Sequence, residues 1–120
     1  MKTLAIIIAN TNRSELETLA KELQQEGYAT FSAASAGELD KVLRARRKYA
    51  LCIIDMSGFD ESIWDQCGRL HELKIPFIVI APQRSPVMQR NSMKHGAGAL
   101  LMKPLATKEL IEHIHSALGD

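Results

Sequence analysis

Near-continuous apolar runs of strand length, separated by segments of helical period, constrain this chain more than any other feature of its sequence. Four of these runs predict buried strands, and a shorter one predicts an edge strand. The buried strands are predicted over residues 4–9, 50–54, 77–80 and 99–102, and the edge strand over 29–33. Runs that do not alternate with polar residues are typical of strands covered on both faces. The order, strand then helix five times over, therefore predicts a parallel sheet between two helical layers.

Residues that cap helices predict where several of the helical segments begin and end. Ser14 and Ser35 each precede a glutamate by three residues, which is the spacing of a capping box. Thr107 is predicted to be the N-cap of the last helix, and Gly27 follows the end of the first. A weakly amphipathic fourth helix is predicted over residues 86–95.

Length and composition indicate one domain, residues 1–120, with an ordinary core. Apolar residues make up 46% of the chain, and its net charge of +1 gives no long-range attraction for nucleic acid or a membrane surface. The longest apolar stretches fall far short of the roughly 20 residues of a membrane helix. We see no signal peptide, so we expect a cytoplasmic protein. Cys52 and Cys67 have no paired spacing and are predicted to be reduced thiols.

Two of the predicted strands lead directly into a charged residue. Asp55 follows the third strand, and Lys103 follows the fifth, immediately before Pro104. The carboxyl ends of parallel strands meet at one edge of a sheet, where ligands and chemistry are usually found. The sequence therefore predicts a site containing an acid and a base. The first strand adds no acid to this edge, because it leads into Asn10 and Thr11.

These features together resemble a CheY-like receiver domain of two-component response regulators, over nearly the whole chain. The resemblance is carried by Asp55, by Lys103-Pro104 and by Gly96-Ala97 before the last strand. It implies a flavodoxin-like α/β fold with strand order 2-1-3-4-5. It also implies that Asp55 is the candidate phosphoacceptor, that Lys103 contacts the phosphate, and that the bond before Pro104 is cis.

The chain departs from this family at the metal and switch positions. Asn10 and Thr11 stand where the family has a pair of acids that hold Mg²⁺. Ala81 stands in place of a hydroxyl residue that contacts the phosphoryl group, and Leu100 in place of a switch aromatic. Asp55 is thus the one remaining carboxylate of the usual metal site. We expect a degenerate receiver that binds Mg²⁺ weakly or not at all and needs no other cofactor.

The sequence leaves two interpretations of Asp55 and Lys103 open. They form either a residual phosphorylation site or a structural ion pair at the sheet edge, and we favour the ion pair. Three hypotheses for function follow. The chain is a non-enzymatic interaction module, a phosphorylatable receiver with weak self-catalysed turnover, or a small flavin or nucleotide binder using the loop at Thr11. That loop contains no glycine, which argues against the flavin hypothesis.

A partner surface is predicted on the face built from the fourth helix, the fifth strand and the fifth helix. Val87, Met88 and Met93 are expected to be exposed there, and methionine suits adaptable contacts. We expect this face to bind a protein partner or a second copy of the chain. The resemblance also implies a sensor histidine kinase and, in a longer protein, a C-terminal output domain. The basic run at residues 44–48 is interpreted as a solvated helix end, so neither a membrane nor direct nucleic-acid contact is expected.

Overall fold

The computed structural model of the protein describes residues 3–83 and 85–119. Within these ranges five strands alternate with five helices. In chain order they are β1 (Ala5–Ala9), α1 (Arg13–Gln25), β2 (Ala29–Ala33), α2 (Ala36–Arg44), β3 (Leu51–Asp55), α3 (Ile63–Glu72), β4 (Phe77–Ala81), α4 (Pro86–Lys94), β5 (Ala99–Met102) and α5 (Thr107–Leu118). All neighbouring strands pair in parallel in the order β2-β1-β3-β4-β5. The predicted flavodoxin-like fold and its strand order are therefore confirmed.

The central strands are buried on both faces because their side chains alternate between two cores. One face of β1, β3 and β4 packs against α2 and α3, and the other packs against α1 and α5. The first core includes Ile7, Cys52, Ile54, Phe77, Val79, Leu39 and Leu70. The second core includes Ile6, Ile8, Ile53, Ile78, Ile80, Leu23 and Ile114. This arrangement explains why the strand sequences are apolar throughout, since the side chain at every position of such a strand is buried.

Two of the predicted helix starts are wrong by one or two residues. The N-cap of α1 is Asn12, whose side chain accepts a hydrogen bond from the backbone N–H of Glu15 at 3.1 Å. Ser14 lies inside the helix, so it forms no capping box. Asparagine is a strong N-cap, and its position before Ser14 starts the helix earlier. Thr107 is the first helical residue of α5, and Ala106 occupies the N-cap position without a side-chain acceptor.

The other predicted helix boundaries are confirmed in whole or in part. Ser35 is the N-cap of α2, and its hydroxyl accepts from the backbone N–H of Glu38 at 3.0 Å. The reciprocal half of the capping box is displaced by one residue, because the Glu38 carboxylate accepts from the N–H of Ala34 at 2.9 Å. Gly27 follows the end of α1 with a φ of +95°, a conformation that glycine adopts without steric cost.

No helix in the described part of the chain is long and apolar enough to cross a membrane. The bond between Lys103 and Pro104 is cis, as the family resemblance implies.

Both cysteines are expected to be unreactive in the folded protein. Cys52 and Cys67 are fully buried and are not joined in a disulfide. Burial raises the pKa of Cys67 to about 12 and raises the pKa of Cys52 as well. Because the thiolate is the reactive form, we expect labelling by a disulfide reagent at pH 8 to be at least about 100-fold slower in native than in denatured protein. Comparable rates in the two states would contradict the burial of these side chains.

Candidate functional site

Asp55 and Lys103 meet at the carboxyl edge of the sheet, as their positions after β3 and β5 predicted. The Lys103 Nζ lies 2.8 Å from the Asp55 Oδ2. Asp55 is buried, with 6% of its surface exposed, whereas a third of the Lys103 side chain is exposed. The pair is therefore a short, charge-assisted contact between a buried carboxylate and a partly exposed ammonium group.

Ser57 joins the two charged residues into one hydrogen-bonded group. Its backbone N–H donates to the Asp55 Oδ1 at 3.0 Å, and its hydroxyl accepts from the Lys103 Nζ at 3.3 Å. Both carboxylate oxygens of Asp55 thus already hold a donor. Sequence reasoning missed Ser57, although an aspartate that accepts from a backbone N–H two residues later is a common local turn.

Lys103 is held in its charged form. The hydrogen bond to Asp55, followed by the charges of Asp55 and Glu15, raises the pKa of Lys103 above its ordinary value, against the opposing effect of burial. While Asp55 is ionised, a lysine whose pKa is raised by folding stabilises the fold at pH values below the ordinary lysine pKa of 10.5. In alkaline solution that contribution is lost as the pH rises past this value and through the higher pKa of the folded state.

The two residues at the end of β1 are used in local hydrogen bonds. Asn10 is buried, and its Oδ1 accepts from the N–H of Asn12 at 2.9 Å. The Asn10 Nδ2 donates to the Glu15 Oε2 at 3.1 Å. The Thr11 hydroxyl donates to the backbone carbonyl of Ser57 at 2.9 Å. The side chains that replace the family's acid pair therefore tie the loop after β1 to α1 and to the loop after β3.

Glu15 is the second carboxylate near this site, and sequence reasoning missed it. It lies in the first turn of α1 and borders the same cleft as Asp55 and Lys103. The cleft has a volume of about 670 Å³, and the part of it away from the charged residues is lined by Leu19, Leu105 and other apolar side chains. An acid in the first turn is favoured in any helix by the dipole, so the sequence alone gave it no special meaning.

Gly58 allows the loop after β3 to approach the loop after β1. Its φ is +82°, and a Cβ built on it would collide with the Thr11 hydroxyl. Any other residue would both strain the backbone and displace the hydrogen bond from Thr11 to Ser57. The close contact of these loops therefore depends on glycine at this position.

The two switch positions carry small or aliphatic side chains in the places that the sequence predicted. Ala81 ends β4 and is buried, and its carbonyl accepts from the backbone N–H of Lys103 at 3.0 Å. Leu100 is half-buried in β5 and packs against the first core. Neither side chain carries a polar group or a ring that could respond to a charge at Asp55.

The predicted partner face is only partly as expected. Val87 and Met93 on α4 are 56% and 73% exposed, and Met102 at the end of β5 is 42% exposed. Met88 is half-buried and packs against the first core, so its predicted exposure is wrong. The helix turns that side chain inward, where methionine fills the space beside β5.

Residues 3–83 and 85–119 contain no cluster of three or more histidine, cysteine, aspartate or glutamate side chains that could hold a metal ion. At the site itself, the oxygens of Asp55, the amide oxygen of Asn10 and the carbonyl of Ser57 all accept hydrogen bonds from the protein. Each Asp55 oxygen thus accepts one hydrogen bond from the protein, and a further ligand would have to use its second lone pair beside that donor.

Neither a protein-family model nor a curated protein matches the sequence. Among solved structures, the chain is similar to a CheY-like response regulator receiver domain protein from Methanospirillum hungatei JF-1, with a TM-score of 0.87, 26% identity, and 98% of this chain and 95% of that chain covered. It is similar to a response regulator from Thermotoga maritima, with a TM-score of 0.83, 21% identity, and coverage of 99% and 100%. A third is a Burkholderia pseudomallei response regulator with a phosphorylated aspartic acid, calcium ion and citrate, with a TM-score of 0.81, 21% identity, and coverage of 97% and 69%. The last two likenesses concern the fold alone.

Proposed function

We propose that this chain, which has the fold of a CheY-like response regulator receiver domain, is an interaction module of two-component signalling that binds its partner without phosphorylation of Asp55. Receiver domains are in general signalling modules rather than enzymes, and we assign this one to the cytoplasm. The proposal depends chiefly on one observation. Each oxygen that surrounds the phosphoacceptor position already accepts a hydrogen bond from the protein itself, and the ammonium group of Lys103 contacts the Asp55 carboxylate where a metal ion would be needed.

Weak or absent Mg²⁺ binding is part of this proposal. In phosphoryl transfer a metal ion neutralises the transferring oxygens and holds them in line. Proteins hold Mg²⁺ through one or two carboxylates, with water and substrate completing its shell. Here the Lys103 ammonium, 2.8 Å from the Asp55 Oδ2, balances the charge of the buried carboxylate. Asn10 brings no charge, and its oxygen already accepts from Asn12, so the residues present do not fit the ion.

We place the partner-binding surface on the face formed by α4, β5 and α5. Three apolar side chains are exposed on α4 and β5, which are Val87, Met93 and Met102. Ala81 and Leu100 give no route by which a phosphoryl group would change this face. The face is then fixed in one state, and it binds a protein partner or a second copy of the chain continuously.

The second candidate function is a phosphorylatable receiver with Asp55 as the phosphoacceptor. It is favoured by the contact of Asp55 with Lys103, because phosphorylation of an aspartate uses a carboxylate as the nucleophile and a nearby cation to contact the phosphoryl oxygens. A structural neighbour from Burkholderia pseudomallei carries a phosphorylated aspartic acid. In this case an Asp55 oxygen would attack phosphorus, the donor's leaving group would depart, and Lys103 would transfer its contact to the new phosphoryl oxygens. The flavin hypothesis gains no support, since the Thr11 hydroxyl is donated to Ser57.

A sedimentation experiment tests the fixed-state proposal. We expect the self-association of the chain, or its binding to an isolated partner, to vary with concentration and salt. We expect no change when Mg²⁺ is added with acetyl phosphate or beryllofluoride, and the Asp55→Asn variant should match the wild type. A complex that forms only with the phosphodonor, and that Asp55→Asn abolishes, would establish the second candidate instead.

A further inference from the structure

A basic cleft lies at the edge of the sheet opposite the Asp55 site. It has a volume of about 790 Å³ and is formed by the segment after α2 together with the turn between α3 and β4. Six cationic side chains line it, and they are Arg44, Arg46, Arg47, Lys48, Arg69 and Lys74. We call this feature the basic cleft. It brings the basic run at residues 44–48 together with Arg69 and Lys74, which lie more than twenty residues further along the chain.

Most of the positive charge in the basic cleft is not neutralised. Asp40 accepts from both Arg44 and Arg69, so one carboxylate is shared between two guanidinium groups. Among residues 3–83 and 85–119, no carboxylate forms an ion pair with the remaining four cations, which are Arg46, Arg47, Lys48 and Lys74. Because the whole chain has a net charge of only +1, the rest of the molecule is net negative. The charge of the protein is therefore strongly polarised toward this cleft.

Helix dipoles alone do not account for this concentration of charge. The carboxyl ends of α2 and α3 both lie at the cleft, and cations are favoured there in any protein. Each helix end is equivalent to roughly half a negative charge, so the two together offset about one cation. Arg47 also lies over the Phe31 ring, with its guanidinium carbon 5.1 Å from the ring centroid. Within the described part of the chain, Arg46, Lys48 and Lys74 form neither an ion pair nor a ring contact.

The backbone at two of these cations adopts the left-handed conformation. Arg46 and Lys74 have φ values of +52° and +60°, and they are the only non-glycine residues with positive φ in the described part of the chain. Each stands directly after the C-cap of its helix, a position that usually carries glycine. At both places the sequence has a cation, in the left-handed conformation that commonly ends a helix and that glycine adopts at less steric cost. Both strained residues line the same cleft.

We infer that the basic cleft binds a small anion that carries two or more phosphate groups, such as a nucleotide or an inorganic oligophosphate. Its volume lies within the range of small-molecule sites. Arginine suits phosphate because its planar group donates two parallel hydrogen bonds. Leu73, which is 49% exposed, gives the cleft an apolar surface on which a base or sugar can pack. This site is separate from the proposed partner face, and neither depends on the other.

Titration calorimetry with sodium tripolyphosphate and with ATP, in the absence of Mg²⁺, tests the inference. The informative variant is the double substitution Arg46→Gly and Lys74→Gly, because glycine relieves the strained backbone while both charges are removed. We expect it to melt at the same temperature as the wild type or higher, and to bind the anions at least tenfold more weakly. The control is Lys21→Gln with Lys108→Gln, which removes two exposed charges elsewhere and should change binding less than twofold.

The results distinguish the ligand's chemistry and can overturn the inference. Tighter binding of ATP than of tripolyphosphate would identify a nucleotide, and equal binding would identify the phosphates alone. In NMR spectra recorded as either anion is added, the amide chemical-shift changes should be confined to residues 44–49 and 69–75. The Asp55→Asn variant should bind both anions as tightly as the wild type does. The inference is wrong if the wild type shows no saturable binding at low salt, or if the control loses as much affinity as the glycine variant. It is also wrong if parallel titrations show binding of RNA or anionic vesicles while neither tripolyphosphate nor ATP binds.

Discussion

Replacing Lys103 with alanine is expected to lower the free energy of unfolding by about 2–3 kcal/mol at pH 7. The substitution leaves the Asp55 carboxylate, 6% exposed, without its cationic partner. Breaking a fully buried ion pair costs about 3–5 kcal/mol, and the partial exposure of Lys103 lets water recover some of this. Urea unfolding followed by circular dichroism measures the change.

Two matched variants separate the ion pair from other effects of the substitution. Asp55→Asn should cost less than Lys103→Ala, because the unpaired lysine can extend into water whereas the aspartate cannot. The double variant Asp55→Asn with Lys103→Met removes both charges and should recover to within about 1 kcal/mol of the wild type, since uncharged replacements of a buried pair are often neutral. If Lys103→Ala is as stable as the wild type, the pair does not contribute to folding in solution.

The fold was predictable because the chain repeats the same pattern five times, an apolar strand followed by an amphipathic helix. Ile53 and Ile54 face opposite helical layers, and so do Ile78 and Val79, which is why their strands read as unbroken apolar runs. The meeting of Asp55 with Lys103 was predictable for a related reason. Both follow parallel strands, and parallel strands bring their carboxyl ends to one edge whatever the details of the loops.

The remaining contacts of the site depend on loop conformations, and loops show no periodic pattern of apolar residues in the sequence from which those conformations could be predicted. Glu15 reaches Asn10 because α1 begins at Arg13, whereas the predicted cap at Ser14 would have placed that glutamate differently. Ser57 reaches Lys103 because Gly58 allows the chain to turn beside Thr11.

The basic cleft was hidden for a different reason. The run at residues 44–48 is indistinguishable in the sequence from a solvated helix end. Only the tertiary fold places Arg69 and Lys74 beside it.

Installing carboxylates after β1 is expected to make the chain bind Mg²⁺ more tightly than the wild type does. The variant Asn10→Asp with Thr11→Asp replaces the amide group that donates to the Glu15 Oε2 at 3.1 Å and removes the hydroxyl that donates to the Ser57 carbonyl. Without metal, the added charge faces Glu15 and Asp55, so the variant should unfold more easily than the wild type. With Mg²⁺, the same carboxylates and the freed carbonyl supply the hard oxygen ligands that this ion prefers.

Unfolding measured at increasing Mg²⁺ concentration tests whether a Mg²⁺ site here requires acids at positions 10 and 11. Ligand present at ten times its Kd stabilises the folded state by about 1.4 kcal/mol, so a site with a Kd of about 1 mM would be detected at about 10 mM Mg²⁺. We expect at least about tenfold tighter Mg²⁺ binding by the variant than by the wild type, which should show almost no stabilisation. Gln25→Glu with Gln89→Glu is the control, because it adds two exposed carboxylates outside the cleft that contains Asp55 and should gain nothing. If Mg²⁺ stabilises the wild type as strongly as it stabilises the variant, Asp55 with Lys103 beside it already holds the ion, and the interaction-module proposal loses its main support. If Mg²⁺ stabilises neither protein, the acids at positions 10 and 11 are not sufficient for a Mg²⁺ site.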